Sequence, residues 1–179
     1  MKGYELLKAT MFGFGYPNYG VALLLKEEAT GKIFLQRVKI TGSNAKPRIL
    51  EIFKDEVIGL PGIPTVSALP LNGPEYMFFA VDKNVYCLDL NNITKPVTLY
   101  KSFDANVVAM NAESETYSCA HMAVGLENGE FYILMIYGAK NLSEEEKVIY
   151  PKHGAAYPAE ERMGRIVDIK YKQLDHWNY

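Results

Sequence analysis

The sequence predicts an all-β protein, a β-propeller-like array of about three four-stranded antiparallel blades forming a partial propeller. Three observations carry this. A strand pattern recurs roughly every 45 to 55 residues, as in repeat arrays. Within each unit, short apolar runs are joined by tight polar turns, clearest at Asp82-Lys83-Asn84 and Asn128-Gly129. The last run of each unit mixes in Lys and Glu, as an outer strand facing water does.

Taken in chain order, the first unit has strand-like runs over residues 20–25, 32–40 and 47–53, with a turn at 27–31. A short strand over 65–69 opens the second unit. There YMFFAV (76–81) and VYCLDL (85–90) form a hairpin, and VTLYKSF (97–103) alternates apolar with polar. Residues 106–110 open the third unit, followed by 119–124, the Asn128-Gly129 turn, 130–137 and a polar outer strand over 145–150. Asn-Gly predicts a type I′ turn, with positive φ at both residues. Residues 165–171 read as a closing strand. The chain is thus one propeller-like domain, 1–179, with units over about 1–55, 65–103 and 106–150. Middle strands are nearly continuous apolar runs because a blade is covered on both faces.

About three blades fall short of the roughly four to eight in which propellers close. The sequence therefore predicts a piece of a larger propeller, or a half-ring completed by a second copy as a homodimer. An open sandwich of the same strands is the plainer alternative.

Composition narrows the partners. The chain has 179 residues, 49% of them hydrophobic, and a net charge of −2, enough to bury a sizeable core. It lacks the basic block that neutralises phosphates, which argues against nucleic acid. Apolar runs are strand-sized rather than membrane-spanning. The first residues lack the apolar stretch of a secretory signal, so the sequence as written reads as a soluble chain without a signal peptide.

Reactive groups are dispersed. Cys87 and Cys119 fall on inner strands of different units and read as structural thiols. His121, His153 and His176 share no ligand spacing, so no metal site or other cofactor is expected. The serines lack a nucleophile elbow, and no acidic pair can be placed at the separation of about 5 to 9.5 Å that glycosidases use. Catalytic residues are therefore assigned to none. An enzyme built on the axis of a complete propeller would draw on Asp104, Glu113, His121 or Asp168, which nothing ranks.

The best lead is the aromatic, glycine-rich stretch Gly13-Phe14-Gly15-Tyr16-Pro17-Asn18-Tyr19-Gly20. Tyr16 and Tyr19 would offer flat faces to a sugar ring, and Asn18 would bond its polar rim. Tyr157 and Trp177 are weaker members of the same set. The ordinary alternative is that these aromatics pack between blades while the glycines permit the bend.

The blade-like strands ending in Gly164-Arg-Ile-Val-Asp-Ile-Lys-Tyr171 resemble the C-terminal part of the PKD-like lipoproteins of gut Bacteroidota, which accompany starch-utilisation-type glycan uptake systems. The resemblance spans nearly the whole chain. It implies a bacterial cell-envelope location and a non-catalytic binding or scaffold role, with polysaccharide or an envelope protein as partner. Two further classes stay open: a protein-interaction module without a sugar ligand, and a fragment of a propeller hydrolase.

Overall fold

A computed structural model describes residues 3–13, 19–43, 46–70, 75–116, 119–137 and 154–156. These form twelve strands in three four-stranded antiparallel sheets. The first sheet is β1 (Tyr4–Gly13), β2 (Tyr19–Glu27), β3 (Ile33–Ser43) and β4 (Lys46–Glu56). The second is β5 (Val66–Ala68), β6 (Tyr76–Val81), β7 (Asn84–Asp89) and β8 (Thr98–Ser102). The third is β9 (Val107–Thr116), β10 (Cys119–Leu126), β11 (Phe131–Tyr137) and β12 (Gly154–Ala156). Each sheet is a meander in which neighbours in sequence are neighbours in space. The all-β prediction holds, and the recurring unit is a four-stranded sheet.

The second sheet shows why its strands lack polar alternation. Successive side chains of a strand point to opposite faces, and here both faces are covered. Phe78, Ala80, Val85 and Cys87 enter one core together with Met110, Met122, Val124, Leu134 and Ile136 of the third sheet. Met77, Phe79 and Leu88 enter another with Ala22, Leu24, Ile33 and Leu35 of the first. Strand β8 lies at the edge, where Thr98, Leu99 and Ser102 are exposed. Arg37 adds a polar tie between sheets, donating from Nη1 to the Leu90 carbonyl at 3.4 Å and from Nη2 to Asp55 at 3.3 Å. Thr65 Oγ1 lies 3.3 Å from the carbonyls of both Ala80 and Val107, linking the second sheet to the third.

Three features differ from the sequence reading. Strand β1 was not anticipated, because a bulge between Leu6 and Lys8 breaks its alternation. With β1 in place the first sheet has four strands of its own. The strand expected over 145–150 and the closing strand over 165–171 lie outside the described residues. Along Tyr132–Leu134, β11 pairs with Gly154–Ala156, a strand the sequence did not predict. Finally, the Asn128-Gly129 turn is not type I′. Gly129 has φ 89° but Asn128 does not take positive φ. The Gly129 amide donates to the Leu126 carbonyl and the Leu126 amide to the Glu130 carbonyl. This is a three-residue turn ending in a left-handed glycine, the next commonest hairpin form. At the β6–β7 turn the left-handed position falls to Asp82, φ 53°, a residue type enriched there.

Gly59 shows how the first two sheets are joined. It has φ +78°, and an added Cβ would lie 3.0 Å from Pro96 Cβ, where the Val97 amide donates to the Ile58 carbonyl. Gly31 has a similar φ of +74° with nothing within 4 Å of the added carbon. Gly31→Ala should therefore cost only backbone strain, about 1 kcal/mol, and Gly59→Ala about 2–3 kcal/mol because Pro96 must also move. Urea unfolding of both variants checks this, and equal losses would mean that the Pro96 contact is inconsequential.

Candidate functional site

The aromatic loop is the connection between β1 and β2, since Gly13 pairs with Tyr19 across the hairpin. Residues 14–18, and with them Tyr16 and Asn18, lie outside the described residues. Tyr19 opens β2 opposite Gly13 on one side and Ile40 on the other. Tyr157 and Trp177 also lie outside the described residues. Of the five candidate binding residues, Tyr19 alone falls among the described residues.

The groups considered for catalysis separate as follows. Glu113 on β9 and His121 on β10 are directly opposite each other in register, a juxtaposition the linear sequence hides. Asp104 is exposed between β8 and β9, and Asp168 lies outside the described residues. Among the described residues no three of His, Cys, Asp and Glu group closely enough to hold a metal ion. Cys87 is a buried free thiol. Burial, and secondarily the Asp89 carboxylate, push its pKa far above the usual thiol value, so it stays protonated and unreactive at neutral pH.

A small cleft of about 240 Å³ opens between the β2–β3 turn and the segment that follows β4. Gly31, Gly59 and Gly62 form part of its wall, and Lys32 and Glu56, paired at 2.9 Å, contribute its charges. Its volume lies below the roughly 300–1,000 Å³ of most ligand pockets, and its two charges already satisfy each other.

The most organised polar group beside it was missed by sequence reasoning because it depends on β1. The Tyr4 hydroxyl donates to Glu27 Oε1 at 3.0 Å, and Thr30 Oγ1 donates to Glu27 Oε2 at 2.5 Å. These two hydrogen bonds, Thr30 first, hold the Glu27 carboxyl below its ordinary pKa. Tyr4 meets Phe34 edge-on at 5.8 Å. The Lys54 ammonium sits 3.2 Å from the Tyr4 ring centroid and 4.7 Å from that of Phe34, a cation–π arrangement.

This cluster rims an unusual surface. On the side of the first sheet facing away from the second, register places Leu6, Ala9 and Met11 of β1 beside Leu25, Leu23 and Val21 of β2. Val38 and Ile40 of β3 continue the face to Ile52 and Ile49 of β4. The bulges at Leu7 and between Lys39 and Ile40 keep these apolar residues on one side. An ordinary outer face would alternate to polar here. The arrangement therefore offers rigid shape and apolar area, with charge confined to the Tyr4–Glu27–Lys54 end. No described helix is long and apolar enough to cross a membrane.

A scan against protein-family models gives no match for this chain, and comparison with curated proteins gives none.

Proposed function

We propose that the chain is a non-catalytic binding or scaffold module, a run of propeller-like blades that presents a preformed surface, acting in the bacterial cell envelope in polysaccharide capture. The observation that carries the module reading is the second sheet, whose two faces are both built into apolar cores with its sequence neighbours. Sheets stacked in this way are the construction principle of propellers and other repeat arrays, and they make a rigid frame for loops. The envelope location and glycan class rest on the resemblance to PKD-like lipoproteins and on the aromatic loop between β1 and β2.

Affinity electrophoresis against a panel of plant and host polysaccharides tests the glycan reading. Each stacking ring contributes on the order of 1 kcal/mol, so the Tyr16→Ala/Tyr19→Ala double variant should bind about 10-fold or more weakly than the native chain. Unchanged retardation would remove this loop from consideration. The exposed apolar face of the first sheet favours one second reading, a protein-interaction module. It is supported if no polysaccharide binds while an envelope protein is retained.

A further inference from the structure

We propose that a second copy of this chain packs on the outward face of the first sheet, sheet against sheet about a twofold axis. The inference is independent of the glycan reading. It begins with exposure: Leu6 is 52% exposed, Met11 64%, Ile49 64% and Ile52 57%, all on one face. Scattered exposed apolar residues are ordinary, but a contiguous patch signals an interaction surface. The opposite face of the same sheet, built from Ala22, Leu24 and Leu35, is already buried against the second sheet. Among the described residues the first sheet thus has the two-faced apolar construction of the second, with its outward face largely open apart from Leu25, which is buried.

The asymmetry of the stack identifies the occupant. In a head-to-tail assembly the uncovered face of the first sheet would meet the far face of another copy's third sheet. On that far face, register places Ala109 with Gly125 and groups both with Ala123, and all three are buried. The same face carries Glu113 and His121, opposite each other. Phe131 and Ile133 of β11 share it and are half-buried, so the far face is of mixed chemistry and largely buried, where the first sheet's outward face is apolar and exposed. The surface that matches the first sheet's outward face in size and chemistry is that same face on another copy, which is an isologous contact.

The area is sufficient. With strands of 9 to 11 residues, a rise of about 3.3 Å and a strand spacing of about 4.8 Å, the face measures roughly 33 by 19 Å. Two such faces would bury about 1,200 Å², the lower bound of stable specific interfaces. Its anatomy agrees, with aliphatic side chains at the centre and the Tyr4–Glu27–Lys54 cluster at the rim.

Sedimentation equilibrium and light scattering of the purified chain test this. The native chain is expected at twice its own mass. Ile52→Glu and Leu6→Glu, each placing a carboxylate within the apolar face, should weaken self-association at least about 30-fold while leaving the circular dichroism spectrum unchanged. Leu99→Glu, at an equally exposed position (58%) on β8, should remain dimeric. A native chain that is monomeric at about 100 µM overturns the proposal, because an interface of this size should assemble there. A dimer that survives both first-sheet substitutions overturns it as well.

Discussion

Phe78→Ala is expected to destabilise the protein by about 3–5 kcal/mol, and Phe79→Ala by a similar amount through a different core. The two side chains are adjacent in β6 and both are fully buried, but they point in opposite directions. Phe78 lies between the second and third sheets and meets Tyr100 at 5.2 Å in an edge contact. Phe79 lies between the first and second. Opposite Phe78 stands Cys87, and opposite Phe79 stands Tyr86. Each belongs to a strand whose backbone is held on both sides, so neither cavity can collapse freely. Urea unfolding at constant m-value gives the loss, and a drop of roughly 6–20 °C in thermal midpoint should accompany it. Hydrogen exchange distinguishes the cores. Phe78→Ala should accelerate amides of β10 and β11, whereas Phe79→Ala should accelerate those of β2 and β3. If either substitution costs less than about 1 kcal/mol, the second sheet is not a two-faced layer and the stacked arrangement is wrong.

That sheet was also the most legible part of the sequence, for the same physical reason. A strand buried on both faces must be apolar at every position, and YMFFAV and VYCLDL leave few other assignments. Strand β1 was hidden because adjacent Leu6 and Leu7 straddle a bulge, giving neither clean alternation nor a continuous run. The Asn128-Gly129 dipeptide located a hairpin correctly but not its type. The Glu130 amide donates to Asn128 Oδ1 at 3.1 Å, a local bond that turns Asn128 into a side-chain acceptor and leaves the left-handed position to glycine. Strand β12 carries only Gly and Ala, which have no strand signature.

The candidate surface was less legible than the fold because it is a property of register. Leu6, Met11, Val38 and Ile52 are scattered over almost fifty residues, and only the pairings of β1 to β4 bring them to one side. The Tyr4–Lys54 contact joins strands that are not even adjacent in the sheet. No spacing rule in the linear chain anticipates such a contact. The two bulges matter most, because each shifts a strand by one residue and so decides whether an apolar side chain faces the core or the open side.

Stability should fall as pH rises above about 9, through two buried acids in one core. In the folded chain the Cys87 thiol is raised far above its ordinary value of 9.0, by burial first and then by the Asp89 carboxylate. The Tyr100 hydroxyl is raised above 10.0, by burial first and then by Cys87. The unfolded chain releases these protons near the ordinary values while the folded chain retains them. Between the unfolded and folded pKa values the unfolded state therefore binds fewer protons, and stability declines with pH. The contribution is fully present below pH 9 and diminishes above it by about 1.4 kcal/mol per pH unit for the thiol, with a similar slope added by the phenol above pH 10. By pH 11 the two together should remove on the order of 4 kcal/mol. Cys87→Ala/Tyr100→Phe isolates the effect, since the Tyr100 hydroxyl is buried with no hydrogen-bond partner among the described residues. Phenylalanine leaves the ring against Phe78 and removes an unsatisfied group, so Tyr100→Phe alone should be neutral or stabilising by up to about 1 kcal/mol at pH 7. Urea unfolding from pH 7 to 11 should show a flatter alkaline limb in the double variant. Parallel limbs would mean that both acids titrate normally in the folded protein, and that the core between the second and third sheets admits water.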